Sequence, residues 1–519
     1  MSKTAKAAMW IMAATMLSKV LGFGRQLVLT YFYGTGKVSD VFIATINIPG
    51  LIIAIIGSAI ATTFVPLYFK EKEAGGDEAA LKFTNNVLNI CYVIAIVIAI
   101  FGLVFTRQFV TLFSPGFVDQ PDKFKLAVNF TRILISGVLF ISGSKVFSSY
   151  LQVNNSFAIP SLIGLPYNII IITSIVISGV TDKLYILPIG ALIAMASQLV
   201  FQLPFAAKHK FKYKPYLHIK DESIVTMFKM MAPMLLGVSI GQINIFVDRA
   251  LASGLSEGKL SALDCASRLN DFVIALFVTS IVTVIYPKMS KLKNRNDNAG
   301  FLDTVVTSAN FVILVVLPIA VGFIILAEPI VRILFQRGKF DAYSTQITVI
   351  ALRLFALGLV ATGVRDILYR AFYTLSDTKI PMINSSIALI FNIVLNLILI
   401  KPFGHAGLAF STSLATVVTV VLLFFSLKKK IGSFGGSKII KTGIKSAVGS
   451  AVMGFVAYFL YNWIHTALGS GLIKEILSVS VATVVGAVIY LGIITLLKVR
   501  EVDMLFDMVK GAKKKLLRH

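Results

Sequence analysis

The chain has 519 residues, of which 57% are hydrophobic and only 14% are charged, and its mean hydropathy is +0.86. Soluble globular domains carry about 25% charged residues, so this composition excludes them and indicates a membrane protein with many spans. The net charge of +25 would suit nucleic acid, but its basic clusters lie in loops between apolar segments. We therefore expect orientation signals and contact with the lipid bilayer, and no nucleic-acid partner.

Apolar stretches of about 20 residues, each able to cross about 30 Å of hydrocarbon as a helix, recur along the whole chain. We predict an all-α polytopic membrane protein with 14 transmembrane helices. They run over 5–33, 38–68, 80–110, 128–152, 157–179, 184–207, 224–254, 260–287, 302–328, 342–373, 380–400, 405–427, 440–465 and 473–497. Lysine and arginine are concentrated in the loops on the side of the N-terminus, which predicts that both termini are cytoplasmic.

The chain contains an internal duplication. Phe64-Val65-Pro66 at the end of the second segment is matched by Ile285-Tyr286-Pro287 at the end of the eighth, 221 positions later. Two further motif pairs recur at nearly the same offset. We predict two six-helix lobes in parallel orientation, 1–221 and 222–430, followed by an appended helix pair and a basic tail in 431–519. A cavity is expected between the lobes, and rocking of the lobes would give alternating access.

We assign nine basic residues and five acids of the predicted spans to bilayer depth. A charge at bilayer depth costs at least about 2.5 kcal/mol, so these residues should face a water-filled cavity or a partner. Because the excess is positive, we expect a cavity that receives an anion. The nine are Lys19, Arg25, Lys145, Lys229, Arg249, Arg268, Arg353, Arg365 and Arg370, and the acids are Asp40, Asp248, Asp264, Asp271 and Asp366.

Three of the cations, Lys19, Arg25 and Arg268, have no acid next to them in sequence. Guanidinium groups bind phosphate in bidentate fashion and an ammonium adds a point charge, so a diphosphate is the expected ligand. Six residues give about 600° of helical rotation, which leaves Lys19 and Arg25 about 120° apart unless the helix unwinds locally. Asp271 lies one turn after Arg268, where it would orient or neutralise it.

Two further features concern movement of the helices. Gly22, Gly24, Pro49 and Gly50 are candidate hinge positions in the first two helices, and close helix packing is the alternative explanation for such glycines. Asp40 follows a short outer loop. It is either a gate residue that pairs with a basic side chain or simply the start of a helix.

A second polar group lies in the predicted second lobe. Asp248, Asn392, Asn396 and Thr412 carry oxygen ligands that suit a monovalent cation such as sodium, and interhelical hydrogen bonding is the plainer alternative. The two cysteines and five scattered histidines form no metal-binding pattern, and no P-loop or nucleophile motif is present. We expect no enzymatic activity and no required cofactor, apart from a sodium ion at this group.

Several segments together resemble the MurJ (MviN) lipid II flippases of the multidrug/oligosaccharidyl-lipid/polysaccharide exporter superfamily, over essentially the full length. They are Leu17-Ser18-Lys19-Val20-Leu21-Gly22-Phe23-Gly24-Arg25, Ser39-Asp40-Val41-Phe42, Phe64-Val65-Pro66, Arg268-Leu269-Asn270-Asp271-Phe272, Leu334-Phe335-Gln336-Arg337-Gly338-Lys339-Phe340 and His405-Ala406-Gly407-Leu408.

The resemblance implies a monomeric protein of the bacterial inner membrane that flips lipid II, the undecaprenyl-diphosphate-linked peptidoglycan precursor, to the outer leaflet. Lys19, Arg25 and Arg268 would then bind the diphosphate, with Asp271 as a cavity carboxylate and Asp40 at the outer gate. Asp248, Asn392, Asn396 and Thr412 would match a sodium site. The appended helices would form a groove for the polyprenyl tail.

The chain departs from the family at two positions. Gly50 and the residues after it lack the arginine that many members carry behind this proline, which removes one diphosphate contact. Ser267 replaces an aspartate that often precedes Arg268, so Arg268 is expected to be less neutralised. A flippase for another polyprenyl-diphosphate oligosaccharide, of O-antigen or capsule type, is the alternative function. A cation or drug antiporter would need an acidic cavity, which the basic excess disfavours.

Overall fold

The computed structural model describes residues 3–432, 434–469 and 471–502. Side chains are described from residue 14 onward, apart from 55–56, 233–234 and 236–238. The helices are α1 (Lys3–Tyr33), α2 (Lys37–Val104), α3 (Thr106–Phe113), α4 (Pro121–Leu134), α5 (Gly137–Val153), α6 (Ala158–Leu162), α7 (Gly164–Thr181), α8 (Ile186–Val200), α9 (Leu203–Lys208), α10 (Glu222–Ser253), α11 (Lys259–Val273), α12 (Thr279–Asn294), α13 (Asn298–Ile325), α14 (Ala327–Phe335), α15 (Ala342–Leu357), α16 (Leu359–Thr374), α17 (Lys379–Phe403), α18 (His405–Ile431), α19 (Gly436–Leu468) and α20 (Leu472–Leu496). Strands are absent from these described residues.

The predicted fold class is confirmed, because within the described residues nine helices are long and apolar enough to cross a membrane. The number rises to eleven when two bent helix pairs, α4 with α5 and α15 with α16, each count as one span. The count of 14 stays a prediction. Helix α2 is broken at Gly75 and Gly76, where Gly76 has φ +70°. This break separates the second predicted segment from the third.

The chain divides into two compact units, Met1–Ser261 with Arg337–Asp341 and Ala262–Gln336 with Ala342–His519. Helix α10, the seventh predicted span, therefore belongs to the first unit. The predicted lobes at 1–221 and 222–430 rest on motifs that recur in the sequence. The duplication of six helices in parallel orientation stays a prediction.

The core of the first unit joins α2 and α5. Phe64 and Tyr150 are fully buried there, and the rings of Tyr68 and Tyr150 meet edge to face. The basic loop before α10 is tied to α2 by asparagine side chains. Asn86 donates to the His218 carbonyl over 2.9 Å and accepts from the His218 N–H over 2.8 Å. Asn85 and Asn89 make similar bonds to the same loop, so its backbone polar groups are satisfied without a regular element.

The second unit is built around α13, which packs against α16 and α19. The Tyr490 hydroxyl of α20 donates to the Leu314 carbonyl over 2.8 Å, and Asn310 donates to Glu501 over 2.6 Å. The appended helices are thus integral to this unit. The connection before them is short, because α18 continues to Ile431, α19 begins at Gly436 and Phe434 is buried.

Candidate functional site

Asp40 lies in the first turn of α2 and is buried, with 1% of its surface exposed. Lys123 of α4 donates to its Oδ2 over 2.9 Å, and the Gly258 N–H donates to the same oxygen over 2.9 Å. Both the N–H and the hydroxyl of Ser261 donate to Oδ1. The carboxylate therefore carries four donors, one of them charged. Asp40 is both a helix-start residue and the partner of a basic residue.

The loops around Asp40 fit closely against one another. Gly258 has φ +86°, and a Cβ at this position would overlap the carbonyl oxygen of Thr35. Gly34 has φ +58° and lies in the same way against the backbone of Lys339, whose N–H donates to the Tyr31 carbonyl over 2.9 Å. Glycine is required where backbones approach this closely in a left-handed conformation. We call Asp40, Lys123, Gly258 and Ser261 the Asp40 cluster.

The predicted diphosphate residues of the first unit lie on α1. Arg25 is half-buried, and its guanidinium carbon lies 5.6 Å from the centre of the Tyr167 ring on α7. An aromatic face attracts a cation without cancelling its charge. Lys19 is exposed. Because α1 is helical without a break from Lys3 to Tyr33, the unwinding that would bring Lys19 and Arg25 to one face is not present.

Helix packing does not explain most of the candidate hinge positions. A Cβ at Gly24 or Gly50 would meet no atom within 4 Å, and one at Gly22 would lie 3.8 Å from Asn168. Pro49 lies inside α2. The close approach occurs instead at Gly164 of α7, where a Cβ would overlap the Ser18 hydroxyl. The hinge role of the predicted positions stays a prediction.

Arg268 of the second unit is paired with a carboxylate. Its Nε donates to Asp264 Oδ2 over 2.7 Å, one helical turn earlier on α11, and 26% of the arginine side chain is exposed. Asp264 thus supplies a counter-charge on the same helix, and the expectation that Ser267 leaves Arg268 less neutralised stays a prediction. Asp271 is exposed, and its charge also acts on Arg268. The role of Arg268 in binding stays a prediction.

Three of the four predicted sodium ligands lie in the second unit. Asn392 and Asn396 are fully buried, and Asn396 Nδ2 donates to Asn392 Oδ1 over 3.0 Å. The Thr412 hydroxyl donates to the Leu408 carbonyl over 3.0 Å. Asp248 belongs to the first unit. The amide oxygen of Asn392 is thus engaged within α17, an arrangement that suits helix stabilisation at least as well as a cation.

An open apolar groove of about 510 Å³ lies among α13, α15 and α19 in the second unit. Ile324, Ile325, Phe455 and Tyr458 line it, together with Arg353. Arg353 Nε donates to the Ile324 carbonyl over 3.1 Å. A groove with this lining suits a hydrocarbon chain.

Sequence reasoning missed several residues of these groups. Lys123 was missed because it precedes the fourth predicted span, which begins at residue 128. Tyr167 was missed because an aromatic residue in an apolar segment gives no distinct signal. Asp264 could have been found, because an acid four positions before an arginine on a helix is a known pairing distance.

Comparison with known proteins gives concordant matches. A family model described as "Lipid II flippase MurJ" matches residues 29–515. A probable lipid II flippase MurJ of Buchnera aphidicola subsp. Schizaphis graminum is 30% identical, over 92% of this chain and 95% of that protein. The protein of the same description from Vibrio cholerae is 28% identical, over 96% and 97%.

Solved structures agree with these matches. A lipid II flippase MurJ in an inward closed conformation has a TM-score of 0.79 at 27% identity, covering 94% of this chain and 98% of that one. An inward-facing transporter of the multidrug resistance MATE family has a TM-score of 0.67 at 15% identity, covering 81% and 95%. The second likeness concerns the fold alone.

Proposed function

We propose, because the chain belongs to the lipid II flippase MurJ family, that it moves lipid II from the inner to the outer leaflet by alternating access. The observation that carries the proposal is the match to the family over residues 29–515. The chain is a multi-pass protein of the inner membrane. Its predicted substrate is a polyprenyl diphosphate, and the cationic residues at bilayer depth agree with an anionic headgroup.

Arg25 and Arg268 are the proposed binding residues for the diphosphate, together with Lys19. The half-buried guanidinium of Arg25 lies beside an aromatic ring, and 26% of the Arg268 side chain is exposed beside Asp264. Asp264 fixes the orientation of Arg268, and a fixed guanidinium loses less conformational entropy when it binds phosphate. Asp271 would then limit how tightly the headgroup is held, which favours release.

The Asp40 cluster is the proposed outer gate. Its four donors join the start of α2 to α4 and to the segment around Gly258 and Ser261. Opening would expose a buried carboxylate and a buried ammonium to water, which hydrates both charges. Such a cluster suits a gate, because the closed state gains strong hydrogen bonds and the open state gains strong hydration of the two charges. Neither state is then so much more stable that the gate stays in it.

The proposal also covers the polyprenyl tail, the coupling ion, the oligomeric state and the orientation in the membrane. The groove beside Arg353 would accept part of the polyprenyl tail, in agreement with its apolar lining. A sodium ion at Asp248, Asn392, Asn396 and Thr412 would couple transport to an ion gradient. The protein would act as a monomer without enzymatic activity, with both termini cytoplasmic.

Complementation of a flippase-depleted bacterial strain tests the binding residues. Arg25→Ala and Arg268→Ala are each expected to abolish growth while the protein still inserts, because each removes a charged contact to the diphosphate. Lys125→Ala, which changes an exposed lysine of α4, is the matched control and should support growth. Normal growth of both arginine variants would contradict the assignment, and rescue of an O-antigen flippase mutant instead would favour the alternative substrate.

A further inference from the structure

Lys145 of α5 is a further cation of the first unit at membrane depth, in addition to Lys19 and Arg25. It is half-buried, and its stem lies along α2 at Gly57. A methyl group at Gly57 would lie 3.0 Å from Lys145 Cγ, 3.3 Å from Cδ and 3.5 Å from Cε. These separations are at or inside van der Waals contact for three successive carbons. The missing side chain at Gly57 therefore makes the space in which the lysine stem lies.

The ammonium of Lys145 differs from the other buried cations in its surroundings. Lys123 has Asp40, Arg268 has Asp264 and Arg365 has Asp366. In the described part of the chain, Lys145 has no carboxylate partner, and burial alone acts on its charge. Even a half-buried ammonium is costly at membrane depth when no counter-ion is near. An anionic ligand that arrives during the transport cycle would supply the acceptor.

The position of Lys145 along the unit is also informative. Gly57 lies 17 residues after Asp40 on α2, which is about 25 Å of helix. On α5, Lys145 lies eight residues before the last residue, Val153, which is about 12 Å. Lys145 thus lies in the half of the span that is farther from the Asp40 cluster. The predicted topology makes this the cytoplasmic side, where a substrate made in the cytoplasm enters.

We propose that Lys145 binds the diphosphate of the incoming substrate in this half of the first unit, with Gly57 holding its stem in place. The inference rests on the proposed function and adds to it a binding residue outside Lys19, Arg25 and Arg268. An ammonium on a flexible stem has three donors and can follow a moving anion, whereas a guanidinium holds one geometry. Lys145 acts at entry, and the α1 arginine acts deeper.

Binding to the full-length protein in nanodiscs of phosphatidylcholine tests this role. Undecaprenyl diphosphate and undecaprenol are titrated in parallel, and the ratio of their affinities is compared between variants. This ratio does not depend on the folded fraction, so partial misfolding of a variant does not obscure it. Lys145→Gln should lower the preference for diphosphate by about tenfold or more, the size of one charge-assisted hydrogen bond.

Two variants serve as controls. Lys145→Arg keeps the charge and should stay within about threefold of the unaltered chain, whereas Lys125→Gln should change nothing. If the unaltered chain prefers diphosphate and Lys145→Gln keeps that preference, the role of Lys145 is overturned. If the unaltered chain has no preference, the proposed function itself is contradicted.

A second measurement uses Gly57. Gly57→Ala should weaken diphosphate binding by displacing the lysine stem, and it should have no further effect when combined with Lys145→Ala, which lacks Cγ, Cδ and Cε. Additive effects of the two changes would overturn the link between them. A third arm titrates phosphatidylglycerol. An equal loss for this lipid and for undecaprenyl diphosphate would show a general phospholipid site and overturn substrate recognition by Lys145.

Discussion

Replacing Lys123 with methionine removes the ammonium that balances Asp40 and keeps a side chain of similar length. The two side chains are 3% and 1% exposed, so solvent screens their interaction very little. Asp40 would keep its bonds from Gly258 and Ser261, but its charge would be buried without a counter-ion. Breaking a buried pair in this way costs about 3 to 5 kcal/mol. We expect Lys123→Met to lower the free energy of unfolding by that amount.

Denaturant titration of the purified protein in detergent measures this loss, and a double-mutant cycle with Asp40→Asn isolates the charge pair. The double variant should be less destabilised than Lys123→Met alone, because no uncompensated charge remains. Lys37→Met is the matched control, because it breaks the exposed pair of Lys37 with Asp122 and should cost at most about 1 kcal/mol. Equal losses for Lys123→Met and Lys37→Met would refute the reasoning.

Two further predictions concern loops at other positions. Lys430 donates to the Asp377 carboxylate, which holds the pKa of Asp377 below its usual 3.8. Asp377→Asn should therefore lower the melting temperature at pH 7. This difference from the unaltered chain should shrink below pH 3.8 and vanish below the lowered pKa of the folded protein, where the carboxylate is protonated. A difference that persists in acid would contradict this. Gly258→Ala should cost about 1 to 3 kcal/mol because of its positive φ and the Thr35 carbonyl, whereas Gly443→Ala, with nothing within 4 Å, should not destabilise the protein.

The spans were predictable from sequence because hydropathy and length depend on local composition alone. The break between the second and third segments follows from Gly75 and Gly76, and the all-α fold class follows from the same pattern. The ordering of the basic loop before α10 was not predictable. It depends on Asn85 and Asn86, which lie more than 100 residues away in sequence.

The candidate site was predictable only in part, because the partner of a charged residue can come from a helix far away in sequence. The acid at Asp40 was identified, but its partner Lys123 comes from another helix, 83 positions later. The pairing of Arg268 was within reach of sequence reasoning, because Asp264 lies on the same helix. A glycine at position 57 next to Lys145 could not be inferred, since helix contacts of this kind depend on the register between α2 and α5.

Labelling of the outer leaflet tests most directly that this chain carries lipid II across the membrane. In a strain in which it is the sole lipid II flippase, its depletion should remove lipid II that is accessible to an impermeant label in the outer leaflet, while total lipid II rises. Restoring the unaltered chain should restore labelling, and Arg25→Ala should not. Unchanged labelling of lipid II after depletion would contradict the account.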